Sequence, residues 1–142
     1  MRKFQQKAVL TLTTAALLAG SVAVSGPANA ASSPIAACGG GSYHVIDQYA
    51  LRSYATVYLM YNGSTDCVVT WKTAYVGTPT EVQAFIERES DFKAVEDDGK
   101  YSYYAGPVKI YAPGTCVIWG GSAAFPSGAT ASAWYEHWSH CD

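Results

Sequence analysis

The sequence predicts an all-β fold, a small antiparallel sandwich or barrel of about six to eight strands with two disulfides. Three observations carry this expectation. Short runs rich in Val, Ile, Thr, Tyr and Trp recur with Gly, Pro, Asn or Asp clusters between them, at a spacing of roughly 8–12 residues. No stretch has sustained helical periodicity. Four cysteines, Cys38, Cys67, Cys116 and Cys141, all follow a leader of export type, and an even count in an oxidising setting reads as two bridges.

The leader comes first. Arg2, Lys3 and Lys7 precede an apolar stretch from Ala8 to Val24, which ends at Ala28-Asn29-Ala30. Basic, apolar and small-residue regions in that order mark a secretory signal cleaved after Ala30. A membrane anchor is the alternative, but Thr11, Thr13, Thr14, Gly20 and Ser21 interrupt the apolar run, and a spanning helix needs about 20 apolar residues. Removing residues 1–30 takes away three basic groups and no acidic ones. From the chain's 9 basic and 11 acidic groups, 6 and 11 remain, a net charge of −5. That balance argues against nucleic acid or an anionic membrane as partner, since both need clustered Lys and Arg.

Residues 31–41, ending in Gly39-Gly40-Gly41, read as a flexible segment tethered at Cys38, and 42–142 as one disulfide-stapled domain. Tyr43-His44-Val45-Ile46 opens the strand series. Ala55–Tyr61 and Cys67–Lys72 flank the turn cluster Asn62-Gly63-Ser64-Thr65-Asp66 and form a hairpin. Glu81–Arg88 alternates polar and apolar as a half-buried strand does, with a helix after Pro79 as its rival. Asp97-Asp98-Gly99-Lys100 reads as an acidic turn, Gly106-Pro107 as punctuation and Pro113-Gly114 as a turn. Val108–Tyr111 and Cys116–Trp119 are strands, the second closed by Gly120-Gly121-Ser122. The chain ends in the aromatic tail Trp134-Tyr135-Glu136-His137-Trp138.

Catalytic patterns are weak. The G-x-S-x-G elbow of serine hydrolases is missing, since Gly120-Gly121-Ser122-Ala123-Ala124 lacks the second glycine. Paired thiols leave no cysteine nucleophile. Glu136, His137 and His140 fall within five residues but have no further strong ligand nearby, so no metal is expected. Glu87, Glu89 and Asp91, and then Glu96, Asp97 and Asp98, read as solvated charges rather than a glycosidase pair or a calcium loop. The sequence therefore predicts no enzyme, no catalytic residue and no cofactor. Eleven Tyr and four Trp all follow the leader. Trp71 and Trp119 suit the core. Tyr101, Tyr103, Tyr104, Trp134 and Trp138 are the candidate binding face, because surface aromatics stack on sugars or build protein interfaces.

Several stretches resemble the spore-associated protein A family of streptomycetes and related actinomycetes. They are Ala37–Tyr43, Val57–Asn62, Cys67–Thr70, Tyr103–Val108, Cys116–Ser122 and Glu136–Cys141. The tail departs from the family pattern, in which Glu-His is expected to run directly into Cys; here Trp138-Ser139-His140 intervenes. The resemblance implies a small exported protein associated with the spore or aerial-hypha surface, and it carries no catalytic residues. The expected function is thus a non-enzymatic, secreted surface protein, with cell-wall polysaccharide or another secreted protein as candidate partners. An inhibitor using the loops 62–66 and 125–133, and a carbohydrate-binding module, are the alternatives. Cys38–Cys67 with Cys116–Cys141 closes the shorter loops and is preferred over the crossed pairing Cys38–Cys141 with Cys67–Cys116.

Overall fold

The β-branched and aromatic runs become eight antiparallel strands in the computed structural model, which describes residues 31–142. The leader expected over 1–30 lies outside the described residues. The strands are β1 (His44–Leu51), β2 (Ala55–Tyr61), β3 (Thr65–Lys72), β4 (Thr80–Arg88), β5 (Lys93–Tyr101), β6 (Tyr104–Tyr111), β7 (Val117–Ala124) and β8 (Thr130–Tyr135). They form two four-stranded sheets, β1-β2-β3-β6 and β5-β4-β7-β8. The predicted sandwich is therefore observed, and Glu81–Arg88 is a strand rather than a helix.

The core lies between the sheets. Val57 and Leu59 of β2, Val68 of β3 and Val108 and Ile110 of β6 meet Val82, Ala84 and Ile86 of β4 and Val117 and Trp119 of β7. Alternate residues along a strand face opposite ways. Asp66, Thr70 and Lys72 thus share the inner face of β3 with Val68, and Cys67, Val69 and Trp71 share the outer one. A second buried cluster covers that outer face. There Cys38, Met60, Cys67 and Val69 are enclosed by Tyr43, Tyr58, Trp71 and Tyr104.

The lid on this face is the segment 31–43. Ser33 caps a four-residue helix, α1 (Pro34–Ala37), its hydroxyl accepting from the Ala36 amide at 3.1 Å, with proline in the first turn. Cys38 then bonds to Cys67, and Cys116 bonds to Cys141, which is the preferred pairing.

Three glycine-containing stretches expected to break the chain run inside strands instead. Asp97-Asp98-Gly99-Lys100 belongs to β5, and the turn falls at Ser102-Tyr103. Asp97 is half-buried, and its carboxylate accepts from the Tyr101 hydroxyl and, at 2.8 Å, from the Gly106 amide of β6. That contact fastens the edge of one sheet to the edge of the other. Gly106-Pro107 lies within β6, where proline is tolerated because β6 is an edge strand. Gly120-Gly121 continues β7. Tyr135 lies opposite Gly120, and a Cβ there would stand 2.7 Å from the Tyr135 ring and 2.3 Å from the Trp134 carbonyl. A Cβ on Gly121 would meet the Thr70 hydroxyl at 2.3 Å and the Gln83 carbonyl at 2.4 Å. Only a glycine lets Thr70 of one sheet donate to Gln83 of the other at 2.7 Å.

Candidate functional site

Strand β3 carries a buried charge at each end of its inner face, and the two are treated differently. Lys72 is 4% exposed, yet its ammonium donates to three carbonyls: Tyr75 at 2.9 Å, Thr78 at 2.6 Å and Tyr101 at 3.1 Å. All three of its protons are used, and the loop after β3 is organised around it. Asp66 lies six residues back, about 20 Å along the strand. It is 3% exposed, and no hydrogen-bond donor among the described residues reaches its carboxylate. Burial pushes this carboxyl up to about 7, opposed by the nearby imidazole of His140.

His140 comes from the C-terminal tail. After β8 the chain continues antiparallel alongside the start of β7, with Val117 and Ser139 exchanging backbone hydrogen bonds at 2.8 and 3.0 Å. The Cys116–Cys141 bridge fixes the next turn, and the Gly114 amide donates to the Asp142 carbonyl at 3.1 Å. Held from both sides, His140 adopts a left-handed backbone with φ of 52°, a conformation uncommon outside glycine that persists only where its surroundings enforce it. Its ring lies 6.4 Å from the buried Trp119, and its Nε2 stands 2.9 Å from Asp47 Oδ2.

Asp47 is aimed by a bulge. The register of β1 against β2 shifts between Val45 and Asp47, leaving Ile46 as the extra residue. Ile46 then lines a cavity of about 160 Å³ together with Tyr61, Asp66, His140 and Asp142. Two fully buried polar atoms on residues around His140, the indole nitrogen of Trp119 and the hydroxyl of Ser139, have no hydrogen-bond partner among the described residues. Native interiors rarely leave such groups unpaired. The cavity is thus lined by two acidic residues, a histidine, a tyrosine and an isoleucine. It suits a small polar guest, or proton exchange between Asp66 and what occupies the cavity. No group of three His, Cys, Asp or Glu able to hold a metal ion occurs among the described residues. Glu136 instead binds through its backbone to Trp119, and His137 faces solvent.

The expected aromatic face is distributed. Tyr101 packs against the main core and donates to Asp97, while Tyr103 projects from the β5–β6 turn. Tyr104 stacks on Trp71 at 4.9 Å on the outer face of the first sheet. Trp134 stacks on Tyr49 at 4.0 Å and meets Trp119 edge-on at 4.9 Å, so it joins the two sheets at their β1 and β8 edges. Trp138 meets Phe92 at 6.0 Å, away from those partners in the contact pattern. A different aromatic pair stands on the outer face of the second sheet. Tyr135 is 44% exposed, meets Phe85 edge-on and donates to the Gln83 side chain, whose amide donates to Glu96 at 3.3 Å. Nearby Glu96 and Asp98, together with burial, raise the Tyr135 phenol above its ordinary range; burial is the larger cause.

The sequence reading placed Asp66 in the turn cluster 62–66; it is instead a buried residue of β3. The turn is made without it, since Asn62 Oδ1 accepts from the Ser64 and Thr65 amides at 3.1 and 2.8 Å. Asp47, Tyr61 and Asp142 were not singled out. The signal available was alternation: Asp66, Val68, Thr70 and Lys72 lie two residues apart and so share a face with a core valine.

Spore-associated protein A of Streptomyces coelicolor is 37% identical to this chain over 119 residues, which span 78% of the chain and 76% of that relative. The chain belongs to the spore-associated protein A family. No protein-family model matches the sequence, and no solved structure matches it. The stretches that carry the resemblance fall on the frame of the fold: Cys67–Thr70 is the centre of β3, Cys116–Ser122 is the bridge and most of β7, and Glu136–Cys141 is the tail that delivers His140.

Proposed function

We propose that this member of the spore-associated protein A family is an exported, non-enzymatic protein retained at the spore or cell surface. The observation that carries the reading is the identity to spore-associated protein A across three quarters of both chains. Two disulfides among the described residues, with no free cysteine, suit an oxidising exterior. The test is fractionation of a sporulating culture producing the chain with a C-terminal epitope tag. Tagged protein starting at Ala31 on washed spores or the cell envelope is the expected result. Full-length protein confined to the cytosol contradicts it.

Cell-wall polysaccharide is the proposed partner, and one observation favours it. Tyr135 presents a half-exposed ring held over Gly120, flanked by the Gln83 amide and the Glu96 carboxylate, the mix of flat apolar surface and fixed polar groups that a sugar ring matches. Retention of the purified protein on insoluble cell wall, lost in Tyr135→Ala, is the expected outcome. Equal retention of the variant removes this reading.

A further inference from the structure

We propose that the cavity beside His140 binds a small primary ammonium group on a short carbon stem, with the Asp66 carboxylate as its counter-ion. This site is independent of the surface reading above and lies apart from the Tyr135 face.

A carboxylate that is 3% exposed and accepts no hydrogen bond from the described residues is costly to keep in a folded protein. The one basic side chain of the cavity, His140, is already engaged with Asp47 at 2.9 Å. Asp66 faces the opening with no hydrogen bond from the described residues, and a second acidic residue, Asp142, also lines it. An anion is repelled by this set. A metal ion lacks the ligand group it needs among the described residues. The remaining class is an organic cation that brings its own donors.

Size and shape narrow that class. A cavity of about 160 Å³ is comparable with the engineered cavities of about 150 Å³ that hold one benzene. It takes a short chain, not an oligomer. An ammonium is compact and carries three donors. Asp66, Tyr61 and Asp142 each bring a side-chain acceptor among the lining residues, and Ile46 brings apolar surface for the stem. A guanidinium is a planar fork that pairs best with one carboxylate face-on and has a larger head to accommodate.

The test titrates n-butylammonium chloride into the purified, 15N-labelled protein and follows backbone amide shifts. Saturable shifts confined to residues around Asp66, His140 and Asp142 are expected, with none from butan-1-ol or tetramethylammonium. The first control lacks the charge and the second lacks the N–H donors. Asp66→Asn weakens binding about tenfold or more, as loss of a charged hydrogen bond does. Tyr61→Phe, which removes one hydroxyl and leaves the carboxylate, weakens it by about threefold. Nα-acetyl-lysine amide separates two sources of the same chemistry: binding comparable to butylammonium assigns a lysine side chain, and binding of butylammonium alone assigns a free amine. Absence of saturable shifts up to about 20 mM, weaker than any useful affinity, overturns the proposal. So do equal shifts from butan-1-ol, or unchanged affinity in both variants.

Discussion

His140 Nε2 and Asp47 Oδ2 stand 2.9 Å apart, 93 residues apart in the chain, and their contact ties the last disulfide loop to the first strand. Both side chains are partly open to water, where such pairs are weak. A double-mutant cycle of Asp47→Ala and His140→Ala should therefore give a coupling of about 0.5–1 kcal/mol by urea unfolding. A coupling near zero means that the strained His140 backbone is held by the disulfide and the Val117–Ser139 bridge alone.

The Cys116–Cys141 bridge closes 25 residues and positions the tail that lines the cavity. Replacing both cysteines by serine should lower stability by about 3.5 kcal/mol, the loop-closure value for that length. It should also raise amide exchange at Ser139 and His140 well before it reaches β4. Uniform exchange across the sandwich contradicts the local role assigned to the bridge.

Lys72→Met leaves the carbonyls of Tyr75, Thr78 and Tyr101 without their shared donor. The expected loss is about 3 kcal/mol, since these are hydrogen bonds to a charged group. Cleavage by chymotrypsin at the exposed Tyr75 should become faster. An unchanged urea midpoint with unchanged cleavage removes Lys72 as the organiser of that loop.

Gly121→Ala places a methyl group against both sheets. Thermal melts should show a loss of about 2–3 kcal/mol, typical of overpacking. Adding Thr70→Ala should recover only part, because the Gln83 carbonyl still blocks the new Cβ. Full recovery in the double variant means that the backbone of β4 moves aside.

The strands legible in the sequence are those with one wet face. β4 shows its alternation because Glu81 and Gln83 face out between Thr80, Val82 and Ala84. β3 hides its alternation, because the segment 31–43 covers its outer face and makes Cys67 and Val69 as buried as Val68. On such a strand, Asp66 beside the Asn62-Gly63 turn reads as more turn. The glycines of β5 and β7 were misread for a related reason. Gly99 and Gly120 lie in strands through pairing with Val82 and with Phe85 and Tyr135, and the rings of Tyr101 and Tyr135 fill the space where a Cβ would stand; those contacts depend on partner strands and side-chain conformation. The cavity is illegible in the sequence because it needs Ile46 from β1, Asp66 from β3 and His140 from the tail, which only the assembled sheets and the second bridge bring together.

Asp66 is a buried carboxyl that lines the cavity beside His140 and accepts no hydrogen bond from the described residues. In the folded chain it titrates at about 7, above the ordinary 3.8. A raised carboxyl supports the fold fully below the unfolded value, and that support is lost as pH rises through the folded one. Wild type should therefore lose stability relative to Asp66→Asn between about pH 4 and pH 7. The direct measurement is the pH titration of the Asp66 side-chain carboxyl by carbon-13 NMR. A midpoint near 7, absent in Asp66→Asn, is the predicted result. A midpoint near the ordinary carboxylate value of about 4 means that Asp66 is solvated or already paired, and contradicts the account.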